Sequence, residues 1–184
     1  IKEFRYNKIT QPNRNRLLWL DPTVDGVKTG HTDGAGYCLI SSAKRGPRRL
    51  LSIVLGTASD AVRAQESLKL LNYGFQFYDA VQLYAKNQPV SSLKVWKGAQ
   101  GTVKAGFAND FQIAVPKGFE QRLTVELVSQ QPLVAPVALG QAIGTLKVKL
   151  DGKPYGEYPL TAIEAVGSAG FFGRMIDAMR MWFN

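Results

Sequence analysis

Residues 37–55 read YCLISSAKRGPRRLLSIVL, and they fix the architecture of the first part of the chain. Two short apolar runs, residues 37–40 and 50–55, flank a basic segment, residues 43–49, that contains a Gly-Pro pair. Short apolar runs separated by Gly and Pro are typical of two strands joined by a turn. The sequence therefore predicts a β-hairpin with a basic turn.

Directly after this hairpin, the apolar residues change to a helical spacing. Ser59 and Asp60 are both residue types that cap the N-terminus of a helix. The apolar positions that share one face of such a helix are Ala61, Ala64, Leu68, Leu71 and Phe75. We therefore expect a helix that packs on the sheet of the hairpin, within a first region that spans residues 1–78.

Beyond Tyr78 the sequence consists of short alternating segments punctuated by Gly, Pro and Asn. Apolar residues alternate with others at residues 111–115, 123–127 and 146–150. This is the period of a half-buried strand. The pattern predicts a small all-β antiparallel domain over residues 79–165.

Residues 166–184 return to a helical period. One arc of about 160° on a helical wheel holds the apolar side chains Phe171, Phe172, Met175, Ile176, Ala178, Met179, Trp182 and Phe183. The opposite side holds Arg174, Asp177, Arg180 and Asn184, and Met181 is the apolar residue outside the apolar arc. An amphipathic helix with aromatic residues near both ends favours a membrane-interface anchor formed by Phe171, Phe172, Met175, Met179, Trp182 and Phe183. A terminal helix packed into the core is the alternative.

The composition is that of an ordinary globular protein with an excess of basic residues. The 184 residues include 23 Lys and Arg against 14 Asp and Glu, and residues 1–78 hold 12 of the former and 6 of the latter. A net charge of +9 suits an anionic partner, whether nucleic acid, an acidic membrane surface or a carboxylate substrate. With Cys38 and His31 as its one cysteine and one histidine, the chain can form neither an internal disulfide nor a Cys/His zinc cluster. We expect no metal and no cofactor, and no targeting peptide is recognisable.

The sharpest local motif is Asp25-Gly26-Val27-Lys28-Thr29-Gly30-His31-Thr32, which leads into the first strand of the hairpin. Lys-Thr-Gly alone is a weak signal, and a polar strand entry with a flexible glycine is its ordinary structural explanation. A Walker phosphate loop is excluded because Val27 stands where that loop requires glycine.

The wider context of the motif resembles a known enzyme family. Residues 13–19, NRNRLLW, precede the motif, and Ala35-Gly36-Tyr37 follows it. Further on come Arg63, Glu66-Ser67 and the segment 69–75, KLLNYGF. These residues resemble the third active-site box and the closing helix of the D-alanyl-D-alanine carboxypeptidases, which are low-molecular-mass penicillin-binding proteins of the penicillin-binding protein 5 and 6 type. The β domain and the terminal helix also follow in the family's order.

The resemblance implies a role for each residue of the motif. Lys28 would place a cation in the active-site cleft, Thr29 would offer its hydroxyl to the terminal carboxylate of the substrate, and Gly30 would let a peptide or β-lactam lie against the strand. The backbone N–H of His31 matches the second oxyanion-hole donor, whereas its imidazole is a neighbour rather than a general base. Arg63 matches a position that helps to bind the terminal carboxylate, with an ordinary surface arginine as the alternative.

The sequence departs from the family in one important respect. The family's boxes come in the order S-x-x-K, S-x-N, K-T-G, and no serine precedes Lys28 in this chain. Residues 41–44 and 91–94 match S-x-x-K literally, but both follow the K-T-G box and neither is expected to open a helix; the first we assign to the hairpin turn. No S-x-N occurs. The fold class predicted is therefore an α+β fragment of a serine β-lactamase/transpeptidase-like domain, followed by the small β domain and the anchor helix.

The resemblance implies a serine-type carboxypeptidase that trims the terminal D-alanine from peptidoglycan pentapeptide stems through an acyl-serine. The resemblance implies D-Ala-D-Ala stems as substrate, β-lactams as covalent inhibitors, and a periplasmic location with peripheral attachment to the inner membrane. The N-terminal half of the catalytic domain would be a further partner, and the chain alone is expected to be inactive. A non-catalytic wall- or membrane-binding module is the alternative. Only the net charge supports binding of nucleic acid, because the β domain lacks the interleaved aromatic and basic residues on which bases stack. We therefore expect no nucleic-acid partner.

Overall fold

The computed structural model describes residues 1–182, in two compact units that divide between Asp79 and Ala80. The first unit is built on a small sheet and one long helix. Its elements are β1 (Glu3–Tyr6), β2 (Ile9–Pro12), α1 (Leu17–Leu20), β3 (Val24–Thr32), β4 (Gly36–Arg45), β5 (Arg48–Thr57) and α2 (Asp60–Phe77).

The predicted hairpin of residues 37–55 is confirmed as β4 and β5. The two strands pair antiparallel in a three-stranded sheet of order β3-β4-β5. The prediction of a turn over residues 43–49 is wrong, because the turn is shorter. Strand β4 continues to Arg45, and β5 begins at Arg48. Gly46 adopts a φ of 58°, a conformation that glycine reaches without strain and that allows a tight two-residue connection. Residues 41–44 therefore lie in β4 and not in the turn.

Helix α2 begins where the capping residues predict. The Ser59 hydroxyl accepts a hydrogen bond of 3.2 Å from the N–H of Val62, which confirms Ser59 as the N-cap. The helix packs on β4 and β5, and the predicted apolar face is largely buried. The hydrophobic core of the first unit consists of Leu17, Val24, Leu39, Ala43, Ala64, Leu71 and Phe75, with Leu68 half-buried beside them. Ala61 is exposed, so the buried face is narrower than the sequence pattern indicates.

The second unit is dominated by strands. Its elements are β6 (Tyr78–Tyr84), which begins at the end of the first unit, β7 (Pro89–Trp96), β8 (Thr102–Gly106), β9 (Phe111–Pro116), a 3-10 turn (Glu120–Arg122), β10 (Leu123–Ser129), β11 (Leu133–Val134), β12 (Ala142–Leu150), β13 (Lys153–Ala162) and α3 (Phe171–Trp182). The chain as a whole is mostly β with few helices.

A six-stranded sheet of order β10-β12-β13-β8-β7-β11 forms the body of this unit, with β6 and β9 paired separately. The three predicted strand segments coincide with β9, β10 and β12. The expectation of an antiparallel domain holds for the long pairings, whereas β11 pairs with β7 in parallel. Fully buried side chains that fill the unit include Val103, Val115, Ile143, Leu146 and Leu160.

The terminal helix is shorter than the sequence pattern indicates. It begins at Phe171, and before it Val166 and Ser168 each form an isolated β-bridge with an earlier segment. No described side chain of the helix is buried, which contradicts a core-packed terminal helix over residues 171–182. Phe183, the last predicted anchor residue, lies outside the described residues. None of the helices described within residues 1–182 has both the length and the apolar composition that a membrane-spanning helix requires.

Candidate active-site strand

Lys28, Thr29, Gly30 and His31 all lie on β3, an edge strand of its sheet. Within the described residues, β3 pairs on one side only, with β4. The Lys28 side chain is exposed, and its ammonium donates a hydrogen bond of 2.7 Å to the carbonyl of Thr29. An exposed edge strand can accept a further extended chain through its free backbone groups.

Nothing in the sheet itself requires a glycine at position 30. Its φ is not in the left-handed region, and a Cβ built there would meet its nearest neighbour, the Cβ of Cys38, at an ordinary contact distance of 3.7 Å. The fold would therefore accommodate a Cβ at this position. The role that the resemblance implies for Gly30, to let a peptide or β-lactam lie against β3, stays a prediction.

The His31 imidazole is held by the first two residues of β4, Gly36 and Tyr37. Its ring stacks on the ring of Tyr37 with centroids 3.9 Å apart, and its Nδ1 lies 3.0 Å from the carbonyl oxygen of Gly36. The side chain thus has a local structural role. The oxyanion-hole role predicted for this residue depends on its backbone N–H and stays a prediction.

Arg63 is a buried residue, so the alternative of an ordinary surface arginine is wrong. Its side chain is 3% exposed although it carries a guanidinium. The Nη atoms donate hydrogen bonds to the carbonyls of Gly30 (3.2 Å), Cys38 (3.5 Å) and Arg14 (3.2 Å). Arg63 therefore links α2 to the strand that carries the K-T-G motif. Its Nε is buried with no hydrogen-bond partner among the described residues.

Asp60 connects Arg63 to a second arginine. One of its carboxylate oxygens accepts a hydrogen bond from Arg63, and the other lies 2.7 Å from the Nε of Arg16. Beside this pair is an open cavity of about 430 Å³, lined by Pro12, Asn13, Arg14, Arg16, His31, Tyr37, Asp60 and Arg63. Three arginines against one carboxylate make the cavity suitable for an anion such as a carboxylate. Arg14 and Arg16 were not predicted as cavity residues, although the basic segment NRNR contains both.

The start of β3 is fixed by two ion pairs. Asp25 and Arg49 form a bidentate pair, and the hydrogen bonds from Arg49, supported by Ser42, lower the pKa of Asp25 to about 2. Burial of Asp21 raises its pKa, but hydrogen bonds from Thr23 and Arg45 outweigh this effect, so the pKa lies below its usual value. Both carboxylates are therefore ionised at neutral pH and anchor the strand just before Lys28.

The two literal S-x-x-K segments lie in strands, as expected of matches that do not open a helix. Ser41 is fully buried in β4, and its hydroxyl is 2.7 Å from the hydroxyl of Ser52. Residues 91–94 lie within β7 of the second unit. Over the described part of the chain, no group of three or more His, Cys, Asp or Glu residues is placed to hold a metal ion.

Two family models match the sequence over most of its length. The family described as D-alanyl-D-alanine carboxypeptidase matches residues 1–59, and the family described as penicillin-binding protein 5, C-terminal domain, matches residues 78–168. The two matches fall on the first and the second unit respectively.

Individual proteins match over nearly the whole chain. The D-alanyl-D-alanine carboxypeptidase DacC of Escherichia coli is 42% identical over 100% of this chain, and DacA of the same organism is 38% identical over the same share. The crystal structure of penicillin-binding protein 5 from Haemophilus influenzae superposes with a TM-score of 0.76 at 38% identity, covering 91% of this chain and 50% of that one. The chain spans 46% of the length of both Escherichia coli proteins, about half.

Proposed function

The chain belongs to the D-alanyl-D-alanine carboxypeptidase family, whose C-terminal portion it matches, and from this we propose that it supplies the K-T-G edge of a serine-type carboxypeptidase active site. The observation that carries the proposal is the placement of Lys28, Thr29 and Gly30 on an exposed edge strand that Arg63 ties to α2. The proposed reaction removes the terminal D-alanine from peptidoglycan pentapeptide stems, and β-lactams acylate the same serine.

In the proposed reaction a serine hydroxyl from a segment other than residues 1–184 attacks the carbonyl carbon of the D-Ala-D-Ala peptide bond. The bond breaks, D-alanine leaves with the proton that the serine gives up, and water then hydrolyses the acyl-serine. Lys28 supplies positive charge next to the anionic intermediate, and the His31 N–H donates to the oxyanion. Thr29 is assigned to the terminal carboxylate of the substrate, whereas Arg63, whose Nη atoms already donate to backbone carbonyls and to Asp60, is assigned to positioning β3 and not to direct contact with that carboxylate.

The first unit exposes an apolar surface that fits the remainder of a catalytic domain. On the sheet face that points away from α2, Leu51, Ile53 and Leu55 of β5 are each more than 60% exposed. The register places Ile40 opposite Ile53 and Lys28 opposite Ile40, so this apolar face leads across the sheet to the K-T-G strand. Contiguous exposed apolar surface marks a contact site. We assign it to the N-terminal half of the catalytic domain, which would also bring the nucleophile close to Lys28.

We propose that the second unit and its helix α3 position the enzyme within the cell envelope. Phe171, Phe172, Met175, Met179 and Trp182 are exposed on α3, an arrangement that suits a helix lying in the membrane interface. The proposal places the protein in the periplasm, peripherally attached to the inner membrane. The β domain would hold the active site away from the membrane and toward the cell wall.

Intact-mass measurement with a labelled penicillin tests the catalytic proposal. We expect no adduct on the 184-residue chain alone. A fusion in which the N-terminal part of Escherichia coli DacC precedes residues 1–184 should gain the mass of one penicillin. An adduct on the chain alone would overturn the assignment of the nucleophile to another segment, and a folded fusion that takes up no penicillin would overturn the proposed role of the first unit.

A matched pair of lysine variants tests the role of the K-T-G strand in the same fusion. Lys28→Ala should lower the rate of acylation by about 100-fold or more, because it removes positive charge beside the developing oxyanion. Lys44→Ala removes an exposed lysine from the neighbouring strand β4 and should leave the rate unchanged. Equal effects of the two substitutions would contradict a specific role for Lys28.

A non-catalytic wall- or membrane-binding module is the second candidate function. The observation in its favour is a second unit that has its own hydrophobic core. This module would sediment with peptidoglycan or vesicles while its fusion to the DacC segment stayed inactive toward penicillin.

A further inference from the structure

Helix α3 has a second side that the membrane anchor does not use. Asp177 and Met181 are half-buried, whereas the other side chains described in α3 are exposed. They are separated by four residues and therefore lie one turn apart on the same side of the helix. Met181 is the apolar residue that falls outside the apolar arc of the helical wheel, so the side opposite the anchor is itself not purely polar.

Asp177 is attached to the β domain by a hydrogen bond. Its Oδ2 accepts a hydrogen bond of 2.7 Å from the backbone N–H of Lys97. Lys97 directly follows β7 and has a φ of 56°, so the backbone bends there. The Asp177 carboxylate therefore accepts from an N–H group at a defined bend in the chain. A carboxylate that accepts a backbone N–H in a half-buried setting makes a stronger bond than a neutral acceptor does. The middle of α3 is therefore fixed to the end of β7.

Met181 extends the attachment by one helical turn. Together with Trp96, Gln131 and Pro132 it lines a cavity of about 310 Å³ at the end of β7. Trp96 is 8% exposed, and the Lys94 ammonium lies 3.6 Å from the centroid of its ring. The cavity thus has a rigid aromatic wall, and Met181 presents a flexible apolar side chain to it.

The segment that leads into α3 is also held in place. The N–H of Ala99 donates to the carbonyl of Gly167, and the N–H of Ala169 donates to the carbonyl of Lys97, each over 2.8 Å. A further bridge joins Gly98 to Ser168. The chain therefore enters the helix from a fixed position against the turn after β7, and not through a free linker.

We infer that α3 is a two-sided helix, whose Asp177–Met181 side docks on the end of β7 and holds its apolar side outward as one rigid lipid-binding surface. The lipid-binding half of this statement rests on the proposed function, whereas the docking half does not. Docking means that the β domain is joined to the membrane at a fixed orientation. A flexible tether would leave the domain free to rotate above the membrane.

Hydrogen exchange of the full chain in solution, without vesicles, tests the docking. In Asp177→Ala, the amides of residues 166–182 should exchange roughly tenfold faster than in the unsubstituted chain, because the helix loses its attachment to β7. Arg174→Ala is the matched control on the same helix, where an exposed side chain is removed, and it should leave exchange unchanged. Alanine favours a helix more than either original residue, so faster exchange in Asp177→Ala cannot come from weaker helix propensity.

Equal exchange rates in Asp177→Ala and the unsubstituted chain would overturn the docking, provided that β12 and β13 remain protected in both. Binding of the unsubstituted chain to vesicles of phosphatidylethanolamine and phosphatidylglycerol tests the membrane anchor independently of the docking. Failure of the unsubstituted chain to bind these vesicles would overturn the lipid surface and leave docking to be decided by the solution experiment. With vesicles bound, the hydrogen-bonded amides of Val166 and Ala169 should stay protected in the unsubstituted chain and exchange faster in Asp177→Ala.

Discussion

The carboxylate of Asp25 and the guanidinium of Arg49 form two hydrogen bonds of 2.8 Å each, although β4 separates their strands in the sheet. Arg49 also donates to the hydroxyl of Ser42 on the intervening strand. One arginine therefore joins all three strands at the position where the register of β3 shifts, between Val24 and Gly26. The pair fixes the strand three residues before Lys28.

The Asp25–Arg49 pair predicts a specific dependence of stability on pH. The pKa of Asp25 is lowered from 3.8 to about 2, so the folded state favours the ionised form. Its stabilising contribution is complete above the unfolded-state pKa and is lost as the pH falls toward 2. Thermal unfolding midpoints of the unsubstituted chain and Asp25→Asn should differ by a constant amount between about pH 5 and 7 and converge below about pH 4. A difference that persists undiminished at pH 2 would contradict the assignment.

Arg63 and Arg16 share the carboxylate of Asp60 but differ in burial, which allows a matched comparison. Arg63→Ala removes a buried guanidinium and the hydrogen bonds that it donates to the carbonyls of Gly30 and Cys38, and we expect a loss of about 2–4 kcal/mol in the free energy of unfolding. Arg16 is 65% exposed, so Arg16→Ala should cost less than about 1 kcal/mol. Urea denaturation followed by hydrogen exchange of β4 and α2 measures both, and equal costs would contradict the structural role of Arg63.

Ser41 provides a test of the literal S-x-x-K match. Ser41→Ala in the DacC fusion should leave penicillin acylation unchanged, since the hydroxyl is buried and paired with Ser52. The same substitution should lower the free energy of unfolding by about 1 kcal/mol, because Ser52 loses its partner. Loss of acylation in a variant that is still folded would identify Ser41 as a participant in the chemistry.

The hairpin and α2 could be predicted because local chemistry determines both. Apolar runs of strand length, the Gly46-Pro47 pair and the Ser59 cap act over a few residues, and the structure has each of them in place. The length of the turn could not be predicted, because strand pairing extends through basic residues once their side chains find partners across the sheet. Arg49 is such a residue, with Asp25 as its partner.

The surroundings of the K-T-G strand were less predictable than the strand itself. Lys28 and Gly30 are recognisable from a motif, whereas the cavity lined by Arg14, Arg16 and Asp60 depends on the packing of α1 and α2 near the end of β3. Burial of Arg63 is likewise a tertiary effect, because the carbonyls that satisfy it come from three separate segments. Sequence spacing alone contains no information about these contacts.

The proposed membrane anchor predicts that the exposed apolar residues of α3 contribute to binding of lipid vesicles. Phe172 is 74% exposed, and transfer of its ring from water into the interface contributes about 1–2 kcal/mol. Phe172→Ala should therefore weaken binding to lipid vesicles by roughly tenfold, as measured by flotation over a range of lipid concentrations. Leu139→Ala removes a side chain that is 68% exposed elsewhere in the second unit, and it should leave vesicle binding unchanged. Equal losses from the two substitutions would show that binding follows general surface hydrophobicity. No loss from Phe172→Ala would contradict the proposal that this side of α3 contacts the membrane.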